Sequence, residues 1–180
     1  MTLRLLIADD NASMRKMVQL AFAGEDAVIE AVASGDAALG ILEEFRPDAA
    51  LADVSMPGYN GYELCERIRR HPVFSDIPVI LLTGAFDTFD ENLSARVGAS
   101  GRLTKPFNPS EMIDLLEKLL AETARRRASD LSDNKAESAE RQDALFRVSP
   151  GAWQSFLGHD RILEIFDVET SRRAAAVGSG

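Results

Sequence analysis

Three acids, a hydroxyl and an ammonium each stand at the end of a short apolar run. Asp9 and Asp10 follow Leu3 to Ala8, Asp53 follows Ala49 to Ala52, Thr83 follows Val79 to Leu82, and Lys105 follows Gly101 to Thr104. If the ends of these runs meet, three carboxylates share one crevice, and they repel one another unless a cation joins them. A hard divalent ion with oxygen ligands suits such a cluster, and Mg²⁺ is the usual one where phosphate is handled. A hydroxyl and an ammonium beside carboxylates and a metal compose a phosphoryl site. An aspartate acts as nucleophile, the metal and Lys105 neutralise the phosphoryl oxygens, and Thr83 donates a hydrogen bond. Gly84 and Ala85 follow Thr83 and put no bulk over the site. Pro106 permits a cis Lys105–Pro106 bond, which only proline makes inexpensive.

The elements that must hold these residues are legible in the first 120 positions. Apolar runs at Leu3 to Ala8, Val28 to Ala33, Ala49 to Ala52 and Val79 to Leu82 read as strands buried on both faces. Between them lie amphipathic stretches: Ser13 to Ala23, Gly35 to Phe45, Tyr62 to Arg70 and Phe89 to Val97. A last helix is predicted from Pro109 to Thr123, with Asn108 as its cap. Gly101 to Thr104 is the weakest strand pattern, but the alternation requires a fifth strand there. The fold expected is α/β: a five-stranded, doubly wound parallel sheet with helices on both faces. In such a sheet ligands bind beyond the carboxyl ends of the strands.

Taken singly, each of these residues has a plainer reading. Asp9-Asp10 is a turn or helix cap, Asp53 a loop acid, Thr83 a strand-end residue and Lys105 a surface lysine. Their joint occurrence at four strand ends is what points to a site. The set Asp9-Asp10, Asp53 with Met56-Pro57-Gly58, Gly61, Thr83 and Lys105-Pro106-Phe107 resembles the receiver-domain signature of two-component response regulators, of the chemotaxis-regulator kind. The resemblance covers roughly the first two-thirds of the chain. It implies the flavodoxin-like strand order 2-1-3-4-5. It also implies that Asp53 accepts a phosphoryl group from a histidine kinase or phosphotransfer protein. Mg²⁺ would be bound directly by Asp10, Asp53 and the Ser55 backbone carbonyl, with Asp9 acting through water.

One position departs from the pattern. Receivers commonly carry Tyr or Phe three residues before the lysine, a ring that turns inward as the threonine moves. Here that residue is Arg102, and a guanidinium is costly to bury without a partner. Arg102 is expected to keep its head near solvent, to pair with Asp87, Asp90 or Glu91, and to modify the switch exerted through Thr83.

Function is expected to be signalling rather than enzymatic turnover. Phosphorylation would shift an equilibrium between surfaces, and the face of the fourth helix, fifth strand and fifth helix would engage a protein target. A phosphohydrolase with an aspartyl nucleophile usually has a second acid two residues on, and position 55 is Ser. A scaffold without phosphorylation would not need the full set of acids, Thr83 and Lys105. Of the net charge of −9, all but one unit falls in residues 1–120, so contact with nucleic acid is not expected. No DNA-binding output segment is recognised after the fifth helix. Cys65 cannot form an intrachain disulfide, no signal peptide or bilayer-spanning stretch is seen, and a cytoplasmic location without membrane insertion is expected. Cys65 reads as core packing, and neither His71 nor His159 has ligand-like neighbours.

The organisation expected is a receiver domain at 1–123, a charged linker or helix extension at 124–148, a short amphipathic segment at 149–173 and a disordered tail at 174–180. The third of these, with Trp153, Phe156, Leu157, Ile162, Leu163, Ile165 and Phe166, reads as a second surface for docking a partner.

Overall fold

The computed structural model describes residues 2–87 and 89–146, with the backbone alone for 131–146. Among the described residues five strands alternate with five helices: β1 (Leu3–Ala8), α1 (Ala12–Ala21), β2 (Ala27–Val32), α2 (Gly35–Phe45), β3 (Ala49–Asp53), α3 (Gly61–Arg69), β4 (Val79–Gly84), α4 (Glu91–Arg96), β5 (Gly101–Lys105) and α5 (Pro109–Phe146). All pairings are parallel and the sheet order is β2-β1-β3-β4-β5. The doubly wound sheet and its order are therefore as expected. The weakly patterned fifth strand is present and runs to Lys105.

Two apolar layers sandwich the sheet. Leu6, Ala8, Ala50, Ala52, Val79 and Leu81 point toward α2, α3 and the α4 end of the molecule. Leu5, Ile7, Ala49, Leu51, Ile80 and Leu82 point toward α1 and α5. The strict alternation explains why the central strands read as unbroken apolar runs: both faces are covered. Cys65 lies in the first layer, fully buried, with Sγ 3.4 Å from the Val97 carbonyl oxygen. Burial pushes its thiol up to about 11, which makes it a packing residue and not a nucleophile.

Helix starts follow local chemistry. Asn11 accepts from the N–H groups of Ser13 and Met14 to open α1, Ser34 accepts from Ala37 to open α2, and Asn60 with Glu63 forms a reciprocal capping box on α3. Asn108 accepts from Ser110 N at 3.0 Å at the head of α5. Asp90 caps α4, so that helix begins at Glu91 and not at Phe89 as its apolar spacing suggests. α5 continues past Thr123 to Phe146, into the stretch read as a charged linker or helix extension. Residues 124–146 contain no Gly or Pro and are rich in Ala and Arg, both good helix formers. The chain divides into two compact units, Met1–Ala128 and Ser129–Gly180. The segments 149–173 and 174–180, like His159, lie outside the described residues.

The loop from β3 to α3 is held tightly. Gly58 sits at φ +71°, a conformation few side chains tolerate, and the Asp36 carboxylate accepts from Tyr59 N at 3.1 Å. Gly61 is pressed against the strand end, where a Cβ would stand 2.5 Å from the Asp53 carbonyl oxygen. Gly61→Ala must therefore push apart α3 and the residue that ends β3. We expect it to lower unfolding free energy by about 1–3 kcal/mol in a urea titration. An unchanged midpoint and slope would mean that the two elements separate freely.

Candidate functional site

Parallel strands send all their carboxyl ends to one edge. The chain moves from β1 outward to β2, then returns to place β3 on the other side of β1, so the crevice between β1 and β3 is the switch point of the sheet. Ala8 pairs with Ala52 in register, so Asp9 and Asp53 leave the sheet side by side. Thr83 pairs with Thr104 and Gly84 with Lys105 at the neighbouring strand ends.

At this edge one carboxylate oxygen from each of Asp9, Asp10 and Asp53 lies within 4.8 Å of the others. Asp9 and Asp53 are buried and Asp10 is exposed. Lys105 Nζ stands 2.7 Å from Asp9 Oδ2 and 2.8 Å from Asp53 Oδ2. Apart from the Lys105 ammonium, the buried Asp9 Oδ2 has no polar partner among the described residues. Ser55 N donates to Asp53 Oδ1 at 3.3 Å, and Asn11 N to Asp9 Oδ1 at 2.9 Å. The buried Thr83 donates its hydroxyl to the Gly84 carbonyl at 3.0 Å. The Lys105–Pro106 bond is cis.

Burial raises the Asp53 carboxyl above the usual aspartate range, and the nearby Asp9 charge adds to the effect. Lys105 and the Ser55 N–H oppose it without cancelling it. Burial by itself pulls Lys105 down, but the Asp53 and Asp9 carboxylates outweigh it and hold the ammonium above the ordinary lysine range. One ammonium thus serves two buried acids while Asp10 adds a third. The set is electrostatically incomplete in a way that one hard cation with oxygen ligands would complete.

The structure brings Asp9, Asp10, Asp53 and Lys105 together, with Ser55 on Asp53 and Thr83 at the adjacent strand end. Arg102 is set apart. It faces the α4 side of β5, half exposed, with Nη1 2.5 Å from Glu91 Oε1 and its guanidinium 4.8 Å from the Phe89 ring centre. Of the three acids named for it, Glu91 is the partner observed. His71 lies away from the cluster, beside Glu43 and Phe74.

The supporting roles of three residues escape sequence reading. Asn11 both caps α1 and fixes Asp9, and its place after two acids and before an amphipathic stretch is a recognisable cap signal. Asp87 accepts from Gly84 N at 2.6 Å and closes the turn after Thr83. Arg15 donates from Nη1 to the Asp9 carbonyl at 2.6 Å, a contact that depends on how α1 lies and leaves no local trace.

Residues 5–117 match the family model of the response regulator receiver domain. The chain belongs to that family. The receiver is 36% identical over 110 residues to the DNA-binding response regulator MtrA of Mycobacterium tuberculosis (strain ATCC 25618 / H37Rv), a match covering 61% of this chain and 47% of the relative. It thus spans about half the length of the curated relatives it matches. Among solved structures, a putative response regulator from Chloroflexus aurantiacus J-10-fl is 35% identical, with a TM-score of 0.63 over 67% of this chain and 99% of that one. The receiver domain of a Pseudomonas aeruginosa PAO1 sensor histidine kinase is 25% identical, with a TM-score of 0.61 over 67% and 99% of the two chains. That structure holds a magnesium ion coordinated in its active-site cleft. No helix among the described residues of the receiver is long and apolar enough to cross a membrane.

Proposed function

We propose that this receiver accepts a phosphoryl group on Asp53 from a histidine kinase or phosphotransfer protein, with Mg²⁺, and thereby switches contacts with a protein target. The observation that carries the reading is the pairing of Asp53 with Lys105 at 2.8 Å inside a three-carboxylate cluster at the sheet's switch point.

In the reaction an Asp53 carboxylate oxygen forms a bond to phosphorus as the phosphorus–nitrogen bond of a phosphohistidine donor breaks, its electron pair leaving with the imidazole nitrogen. Asp10, Asp53 and the Ser55 carbonyl are the proposed direct metal ligands, with Asp9 acting through water. The bound cation supplies positive charge opposite the phosphoryl oxygens. Lys105 holds the Asp53 carboxylate in place and offers its ammonium to a phosphoryl oxygen. Thr83 exchanges the Gly84 carbonyl for another such oxygen. Because Asp53 and Asp9 are buried, little water reaches the nucleophile, and the charges act with more force than at an exposed site.

The acidic balance of residues 1–120 supports a protein rather than a nucleic-acid backbone as the partner of this domain. The face formed by α4, β5 and α5 is the proposed docking surface, with residues 149–173 as a second one. For the site itself, acetyl phosphate with Mg²⁺ should add one phosphoryl group, mapped by peptide mass spectrometry to Asp53. A label that forms equally well in EDTA, or that maps elsewhere, would overturn the assignment.

A further inference from the structure

The turn after Thr83 leads to a ring that the phosphoryl chemistry does not use. Gly84, whose carbonyl holds the Thr83 hydroxyl, is tied through its N–H to Asp87. At the far end of the same connection Asp90 N donates to the Tyr62 hydroxyl at 3.1 Å, and the Asp90 carboxylate caps α4 at Leu93 N. Between Asp87 and Asp90 stands Phe89. The Tyr62 ring centre lies 5.9 Å from it, and the Arg102 guanidinium lies 4.8 Å from it. Arg102 also binds Glu91 in the first turn of α4. Tyr62 follows Gly61, the residue packed against the Asp53 carbonyl. Phe89 is thus reached from Asp53 through Gly61 and Tyr62, and from Thr83 through Gly84 and Asp87.

We propose that Phe89 is the ring that couples occupancy of the Asp53 site to α4, with the Arg102–Glu91 pair as the latch holding it in the unphosphorylated form. The inference rests on the reading of Asp53 as phosphoryl acceptor. A hydroxyl has one proton to donate. A phosphoryl oxygen that accepts it from Thr83 removes one of the two donors on the Gly84 carbonyl, leaving Asp87 N at 3.1 Å as the other, and so loosens the near end of the connection. The seat of Phe89 between Tyr62 and Arg102 then changes, and Arg102 carries the change to Glu91. Position 102 itself cannot supply the ring, since its side chain is a half-exposed arginine on the α4 side of the edge strand, paired opposite Leu81. The coupling therefore runs through a ring from the β4–α4 connection, and an ion pair marks its output end.

Hydrogen exchange of residues 91–97 in the full chain tests this, measured with and without beryllofluoride and Mg²⁺. Wild type should show a beryllofluoride-dependent change in these amides. Phe89→Leu, which keeps an apolar side chain but no aromatic face, should lose that change while acetyl phosphate still labels Asp53 at the wild-type rate. Arg102→Ala should show faster exchange at residues 91–93 before any beryllofluoride is added. Retention of the full wild-type difference in Phe89→Leu overturns the proposal, as does a labelled wild type whose α4 amides do not respond. Wild type that takes no label at all overturns the site reading and this proposal with it.

Discussion

Asp53→Asn is expected to take up no phosphoryl group from acetyl phosphate in Mg²⁺, where the wild type takes up one, as read by intact mass. The substitution preserves shape and keeps an oxygen that accepts from Ser55 N. It removes the anionic oxygen that must attack phosphorus. The folded protein should survive it. The Asp53 carboxyl is held above the usual range because its charged form is desolvated and faces Asp9, so an uncharged amide relieves a conflict. Lys105 keeps Asp9 as its counter-charge at 2.7 Å. In the absence of Mg²⁺, Asp53→Asn should thus unfold at the wild-type temperature or above it. Labelling of the variant to the wild-type extent would transfer the nucleophile's role to Asp9 or Asp10. Marked destabilisation would show that the Asp53 charge is a net support for the fold.

Asp10→Asn is expected to weaken Mg²⁺ binding by at least about tenfold, since even residues that only orient metal ligands commonly cost 10–100-fold when removed. Asp10 is the exposed member of the cluster and has no close contact with Lys105 comparable to those of Asp9 and Asp53. Its carboxylate is therefore free to serve a metal, and its loss leaves the buried ion pairs intact. Phosphorylation by acetyl phosphate should slow in parallel and recover in part at high Mg²⁺. The metal-free variant should melt no lower than wild type, because one of three like charges is gone. Isothermal titration with Mg²⁺ and a melt in EDTA measure the two effects separately. Unchanged Mg²⁺ affinity would remove Asp10 from the ligand set. A lower melting temperature in EDTA would assign it a structural role instead.

The alternation of apolar runs with amphipathic stretches determined the parallel five-stranded sheet, because strands covered on both faces must be apolar throughout and parallel neighbours need crossovers. The same logic placed Asp9, Asp10, Asp53, Thr83 and Lys105 at strand ends, since a residue's position along a strand is local information. Strand order was not contained in that pattern and came with the family resemblance; only the pairing of β1 with β3 brings Asp9 beside Asp53. Side-chain partners were also beyond the sequence. Arg102 had three acids within reach, and the cap at Asp90, which starts α4 at Glu91, puts Glu91 in its path. Arg15 reaches the Asp9 carbonyl only because α1 folds back along β1. The length of α5 turned on a balance that apolar periodicity does not record, for residues 124–146 have helix-forming composition without an apolar stripe. Local chemistry thus set the elements and their ends. Which ends meet, and which charged groups share a buried crevice, was decided by contacts between residues far apart in the chain.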